Sequence, residues 1–204
     1  MQRLLHQERS FPLLAAAGYE KTSDVTGFPP LPGAYNCIAW AAEDPNKDHW
    51  WWPHPDGYWP FWIKSREEKI SCFLKTFRWL GYRICSHSRR EFGYDKICLY
   101  AIHESHEPRE VPTTLRELEE DWEPTHMARQ LPDGTWSSKL GRNEDLTHFT
   151  LDALESYGIA YGALDEYGCA VLYLRRFVAV SWVVHLIQMM QWHIERISSA
   201  RTGS

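Results

Sequence analysis

Apolar positions recur along this chain at two different spacings, and the changes between them divide it into elements. Ile70, Phe73, Leu74, Phe77 and Leu80 repeat every three or four residues. With Ser65 as cap, Glu67 and Glu68 in the first turn and Gly81 as stop, that spacing predicts a helix over 65–80. Residues 82–85 alternate as a short strand, and 95–102 read as a buried one. Two further alternating runs, 125–131 and 135–140, flank Pro132-Asp133-Gly134, a strong hairpin signal. In the first run His126, Ala128 and Gln130 share one face, while Met127, Arg129 and Leu131 share the other. Residues 168–174 predict a last strand. Leu146, Phe149, Thr150, Leu154 and Tyr157 suggest a helix over 147–157, after a loop at 141–145.

The remaining segments frame these elements. Residues 10–17, closed by Gly18, read as a short capped helix. Residues 103–124 are polar and acidic, an excursion between strands with a short solvated helix at most. From 177 to 197 the pattern is helical and mostly apolar, with a polar stripe at Ser181, His185, Gln188, Gln191 and Glu195. Its expected place is on the domain or on a second copy as a homodimer, with the stripe toward solvent and a membrane span disfavoured. The organisation is therefore a single α+β domain over 1–176 with an insertion at 103–124. An amphipathic helix at 177–197 and a tail at 198–204 follow. No signal peptide is read at the start, which predicts a cytoplasmic protein; export as an effector or toxin domain is compatible with that reading.

Composition changes this picture in three places. The net charge of −5, without any Lys/Arg block, argues against a nucleic-acid partner. Five widely spaced cysteines, Cys37, Cys72, Cys85, Cys98 and Cys169, contain no Cys-x-x-Cys pair. They fit a reducing compartment rather than a disulfide framework or a structural zinc site, and no metal or cofactor is expected. Eleven tryptophans are unusual. Five of them, Trp50, Trp51, Trp52, Trp59 and Trp62, crowd a Pro/Gly-rich loop that must fold over the core as a lid or hold a ligand by stacking.

The candidate chemistry begins at Cys37. Asn36 is a good N-cap and the residues after it favour helix, so Cys37 falls at the first helical position. There unpaired N–H groups and the positive end of the helix dipole stabilise a thiolate. The competing reading is a small buried hydrophobe, the common fate of a free cysteine. His126 opens the hairpin, and small Ala128 beside it would leave room for the Cys37 helix to dock on that face.

As a set, several motifs resemble a bacterial domain family of unknown function. They are Tyr35-Asn36-Cys37-Ile38-Ala39-Trp40-Ala41, Trp50-Trp51-Trp52-Pro53, His126-Met127-Ala128-Arg129-Gln130-Leu131-Pro132-Asp133-Gly134, and Trp136-Ser137-Ser138-Lys139-Leu140-Gly141 with Glu144-Asp145 and His148. More distantly, the order of a helix-capped Cys, a His opening a strand and a polar residue on the next strand resembles NlpC/P60 and related papain-like amidases. That resemblance implies a papain-like fold: a Cys-bearing helix packed on an antiparallel sheet, here with an extra C-terminal helix. It further implies Cys37 as nucleophile, His126 as base and Ser138 as third member, with Glu144 or Asp145 as alternatives for orienting the imidazole.

Two functions follow as expectations. The first is a cysteine-dependent amide hydrolase or acyltransferase, using a Cys37–His126 pair on a peptide or amide substrate beside the tryptophan loop. The second is a non-catalytic binding module in which Cys37 packs, His126 is a satisfied strand histidine, and a ligand stacks on the tryptophans. Distance separates them: a Cys37 sulfur near a His126 ring nitrogen belongs to the first only.

Overall fold

A computed structural model describes residues 8, 11–23, 35–44, 49–141, 143–157, 167–184 and 186–190. The fold is α+β, organised on a seven-stranded antiparallel sheet. The strands are β1 (Tyr19–Ser23), β2 (Arg83–Cys85), β3 (Tyr94–His103), β4 (Trp122–Gln130), β5 (Trp136–Lys139), β6 (Asp145–His148) and β7 (Cys169–Phe177). Their spatial order is β1-β6-β5-β4-β3-β7-β2. The β4–β5 hairpin forms at Pro132-Asp133-Gly134, where Gly134 takes a positive φ of 96° that a side chain would resist.

The sheet is accompanied by helices α1 (Leu14–Ala17), α2 (Cys37–Ala41), α3 (Ile70–Trp79) and α4 (Leu115–Asp121). A C-terminal helix follows over 178–184 and 186–190. One apolar cluster joins α2, α3 and the tryptophan loop to Ile97, Leu99, Met127 and Leu174 on one face of the sheet. A second joins Phe11 and Leu14 to Cys98, Tyr100, Ala128, Trp136 and Leu146 on the other. Alternation along β3 and β4 divides their residues between the two clusters.

Three sequence expectations change. The predicted 65–80 helix begins only at Ile70, with Lys69 in extended conformation at its N-cap and no side-chain cap. The predicted 147–157 helix is instead strand β6, a 3-10 turn at Asp152–Leu154 and irregular chain. Leu146 packs inward from a strand, so its spacing to Leu154 mimicked a helix across two different structures. Strand β1 carries no apolar alternation and went unread; it pairs along β6 at the sheet edge. The acidic excursion contains α4, capped by the Thr114 hydroxyl accepting from the Glu117 N–H at 3.3 Å, and the first residues of β4.

The C-terminal helix is the reverse of its expected orientation. Ser181 and Gln188, which the stripe reading turns to solvent, face the domain instead. The Arg176 guanidinium donates to the Ser181 hydroxyl at 2.8 Å, and that hydroxyl donates to Glu43 at 3.2 Å. Gln188 donates to the Ala42 carbonyl at 3.3 Å, and Val184 is buried in the first cluster. The solvent side holds Trp182, Val183, Leu186 and Met190. Expected stripe members His185, Gln191 and Glu195 lie outside the residues whose side chains are described. Among the described residues no helix is long and apolar enough to cross a membrane.

Candidate functional site

The chain enters α2 through two buried residues, Tyr35 and Asn36. Asn36 is extended, with its side-chain oxygen accepting from the Ala39 N–H at 3.1 Å, the expected N-cap. Its amide nitrogen donates to the Trp51 carbonyl at 2.7 Å, so the same side chain also fastens the tryptophan loop. Cys37 is the first residue of α2 and only 5% exposed.

The face of the sheet on which α2 docks is the one carrying Met127 and Arg129. Met127 shares the apolar cluster of Cys37, Ile38 and Ala41, and the Arg129 guanidinium lies 4.3 Å from the Trp40 ring centroid. Arg129 also donates to Glu43, just past the helix, at 3.0 Å. His126, one residue before Met127, points to the opposite face. There it stacks on Tyr167 at 4.1 Å and 8° and meets Tyr100 edge-on at 5.4 Å. The expected Cys37–His126 pair is therefore not formed, because the sheet lies between them. Ala128 did not admit the helix; it packs with Tyr100 and Trp136 instead.

Ser138 does accompany His126, as its position twelve residues on suggested, but in a chain of three. His148 Nδ1 lies 2.7 Å from the Thr150 carbonyl, which can only accept, so that nitrogen carries the proton. Burial lowers the His148 pKa from 6.5 to about 4, so the ring is neutral near pH 7 and its Nε2 is an acceptor. The Ser138 hydroxyl donates to it at 3.0 Å. With its hydrogen committed, the Ser138 oxygen accepts from His126 Nε2–H at 3.1 Å. His126 Nδ1 is then left as a bare lone pair, and it has no hydrogen-bond donor among the described residues. Burial, and secondarily the His148 charge, holds the His126 pKa well below 6.5. The three groups form an uncharged, fully enclosed chain.

What surrounds Cys37 comes from alternate positions of β5 and β6. Lys139 is fully buried, and its ammonium lies 5.4 Å from the Tyr35 ring centroid and donates to the Asn143 carbonyl. Asp145, paired with Lys139 across the strands, accepts from the Tyr35 hydroxyl at 2.5 Å. Its second oxygen is buried without a hydrogen-bond partner among the described residues. Burial lowers the Lys139 pKa; Asp145, Glu144 and the charge of a Cys37 thiolate each push it back up. By the same coupling, a charged Lys139 favours the thiolate. Asp145, expected as an orienter of His126, thus belongs to the Cys37 face. Lys139 and Tyr35 were missed, although a lysine at the position after Ser138 in an alternating strand had to face away from it.

The tryptophan loop is largely core. Trp51 and Trp59 are buried, Trp51 donates from Nε1 to Asp44 at 2.5 Å, and Asp44 also meets His49 Nδ1 at 2.8 Å. Trp52 and Trp59 stand edge-on to Phe73 of α3 at 5.4 and 5.5 Å. Trp50, Trp52 and Trp62 keep part of their rings in solvent, so of the five expected stacking residues only these three present a surface. No group of three or more His, Cys, Asp or Glu side chains among the described residues could hold a metal ion.

Neither the curated proteins nor the solved structures include a match to the chain. A family model does match, over residues 30–175, which takes in α2, the tryptophan loop and β2 to β6 with nearly all of β7. The chain belongs to the family described as Domain of unknown function (DUF7689).

Proposed function

We propose that the chain is a thiol-dependent hydrolase or acyltransferase of amide or related acyl bonds, with Cys37 as nucleophile and Lys139 as its proton partner. The observation that carries this reading is a fully buried lysine, electrostatically coupled to a cysteine at a capped helix start and backed by Asp145 and Tyr35. Burying an ammonium is costly unless it has a task or a full set of partners, and desolvation lowers its pKa toward the range useful for proton transfer.

The steps balance as follows. Neutral Lys139 takes the Cys37 thiol proton, and the thiolate forms a C–S bond to the substrate carbonyl carbon. The Cys37 backbone N–H would be one donor to the oxyanion. Collapse breaks the C–N bond while the Lys139 ammonium returns its proton to the leaving amine. Water then attacks the thioester while Lys139 accepts its proton, the C–S bond breaks to release the acid, and the Lys139 ammonium returns the proton to the Cys37 thiolate. If an amine replaces water, the outcome is acyl transfer. The likeness to NlpC/P60 and papain-like amidases supports the cysteine at a capped helix on an antiparallel sheet. It does not supply the base, since His126 lies on the other face. Peptides and side-chain amides fit this chemistry, and the part-exposed rings of Trp50, Trp52 and Trp62 offer an apolar border.

Alkylation tests it. Cys37 is expected to react with iodoacetamide at pH 7 at least about tenfold faster than Cys98, whose thiol burial pushes well above 9, and than Cys72, also raised. Lys139→Met should remove most of that advantage. Mass-spectrometric mapping that finds Cys37 no faster than these two assigns it to packing and the chain to a non-catalytic module.

A further inference from the structure

The C-terminal helix is amphipathic in reverse. Ser181, Val184 and Gln188, spaced by three and four, form its inner face. Three hydrogen bonds, to Arg176, Glu43 and the Ala42 carbonyl, set its rotation about its axis. Arg176, the fully buried hub of these contacts, is itself held by Glu43, by Asp95 at 3.3 Å and by the Tyr82 ring at 4.5 Å. The helix therefore cannot roll to bury its other face. That face carries Trp182 at 71% exposure and Leu186 at 61%, with Val183 and Met190 beside them. The strip continues into Phe177, half exposed where β7 ends, and past Val178 into a groove of about 380 Å³ that Phe92 and Tyr94 also line.

We propose that this outward strip is the surface through which two copies of the chain pair. Residues 177–190 contain no Lys, Arg, Asp or Glu. A two-fold contact sets each patch against itself, so a charged strip on a chain of net charge −5 would meet its own sign, whereas this one does not. The same lack of charge disfavours a lipid surface, because helices that lie in a membrane interface carry Lys and Arg along their polar face. Here the polar face is already spent on the protein. The area also suits a dimer: Trp182 and Phe177 are rings of about 150–250 Å² each, and with the aliphatic chains the strip approaches the ~800 Å² that one partner gives to a stable interface.

Sedimentation equilibrium of the full chain tests this. The expected mass is twice 24.0 kDa, and Leu186→Glu or Trp182→Lys should raise the dissociation constant at least tenfold with unchanged circular dichroism. Both side chains are exposed in the single copy, so neither change disturbs the core. A wild-type chain that stays at 24.0 kDa at its highest clear concentration overturns the proposal, as does a dimer that survives both substitutions. A monomer that co-sediments with vesicles of phosphatidylcholine and phosphatidylserine overturns it in favour of a membrane.

Discussion

Trp51→Ala is expected to cost about 3–5 kcal/mol from the cavity alone, and enough in total to leave much of the protein unfolded at 37 °C. The indole is 2% exposed and packs beside Tyr58 at 5.4 Å and Trp59 at 6.4 Å. Truncation also removes the Nε1–H donor from buried Asp44; losing a donor to a buried acceptor adds about 1–3 kcal/mol. Asn36, which bonds the Trp51 carbonyl, would lose its fixed partner, so the start of α2 loosens with the loop. Urea unfolding with Asp56→Ala as control measures the effect; Asp56 is 94% exposed in the same loop, and its loss should stay within about 0.5 kcal/mol. A Trp51→Ala loss below about 1 kcal/mol would mean that the loop is not part of the core, and would return all five tryptophans to a ligand role.

Acid should unfold the protein earlier than carboxylate protonation alone requires. His148 has a folded pKa of about 4 against 6.5 when free. The unfolded chain therefore binds the proton first, and stability is lost as pH falls from 6.5 toward 4. That window is worth roughly 3 kcal/mol from His148, at 1.36 kcal/mol per pKa unit. His126, which burial also holds well below 6.5, adds a loss of the same sign as pH falls. Glu155 works in the opposite sense, since burial raises its carboxyl and acid relieves that cost, but its smaller shift leaves the balance with the histidines. Once His148 Nε2 is protonated it can no longer accept from Ser138, so the chain of three breaks at the Ser138–His148 link while Nδ1–H keeps the Thr150 carbonyl. Urea midpoints at pH 7, 5.5 and 4.5 should fall steadily, and a midpoint constant over that range would contradict the buried neutral assignment.

Much of the sheet was legible because it obeys one local rule. Period-two alternation located β2 and the β4–β5 hairpin, apolar runs located β3 and β7, and alternation sorted His126 from Met127. Alternation says nothing about which face a helix will choose. Ala128 looked like an opening, yet its small side chain is needed beneath Tyr100 and Trp136, while Arg129 offers α2 a cation over Trp40 and a partner for Glu43. That choice is made by residues far apart in sequence, and the error in pairing Cys37 with His126 follows directly from it. The same limit inverted the C-terminal helix. A stripe of Ser and Gln ordinarily seeks water, but here Arg176 and Glu43 supply partners inside the fold. Strands β1 and β6 were lost for other reasons: β1 has no apolar alternation to read, and the four residues of β6 are too short for their spacing to outweigh a coincidental helical pattern.

The place of β7 between β3 and β2 has a consequence for how the chain is made. Strand β3 is complete at His103, but the neighbour that covers one of its edges does not begin until Cys169. At typical synthesis rates of about 5–20 residues per second, that edge waits several seconds on the ribosome, bearing Ile97, Leu99 and Tyr100 and unpaired backbone groups. Strand β2 waits longer still, since among the described residues β7 is its sole partner in the sheet. A nascent chain halted near residue 160 is thus expected to be a strong client for holdase chaperones, with release only once β7 can slot into the gap.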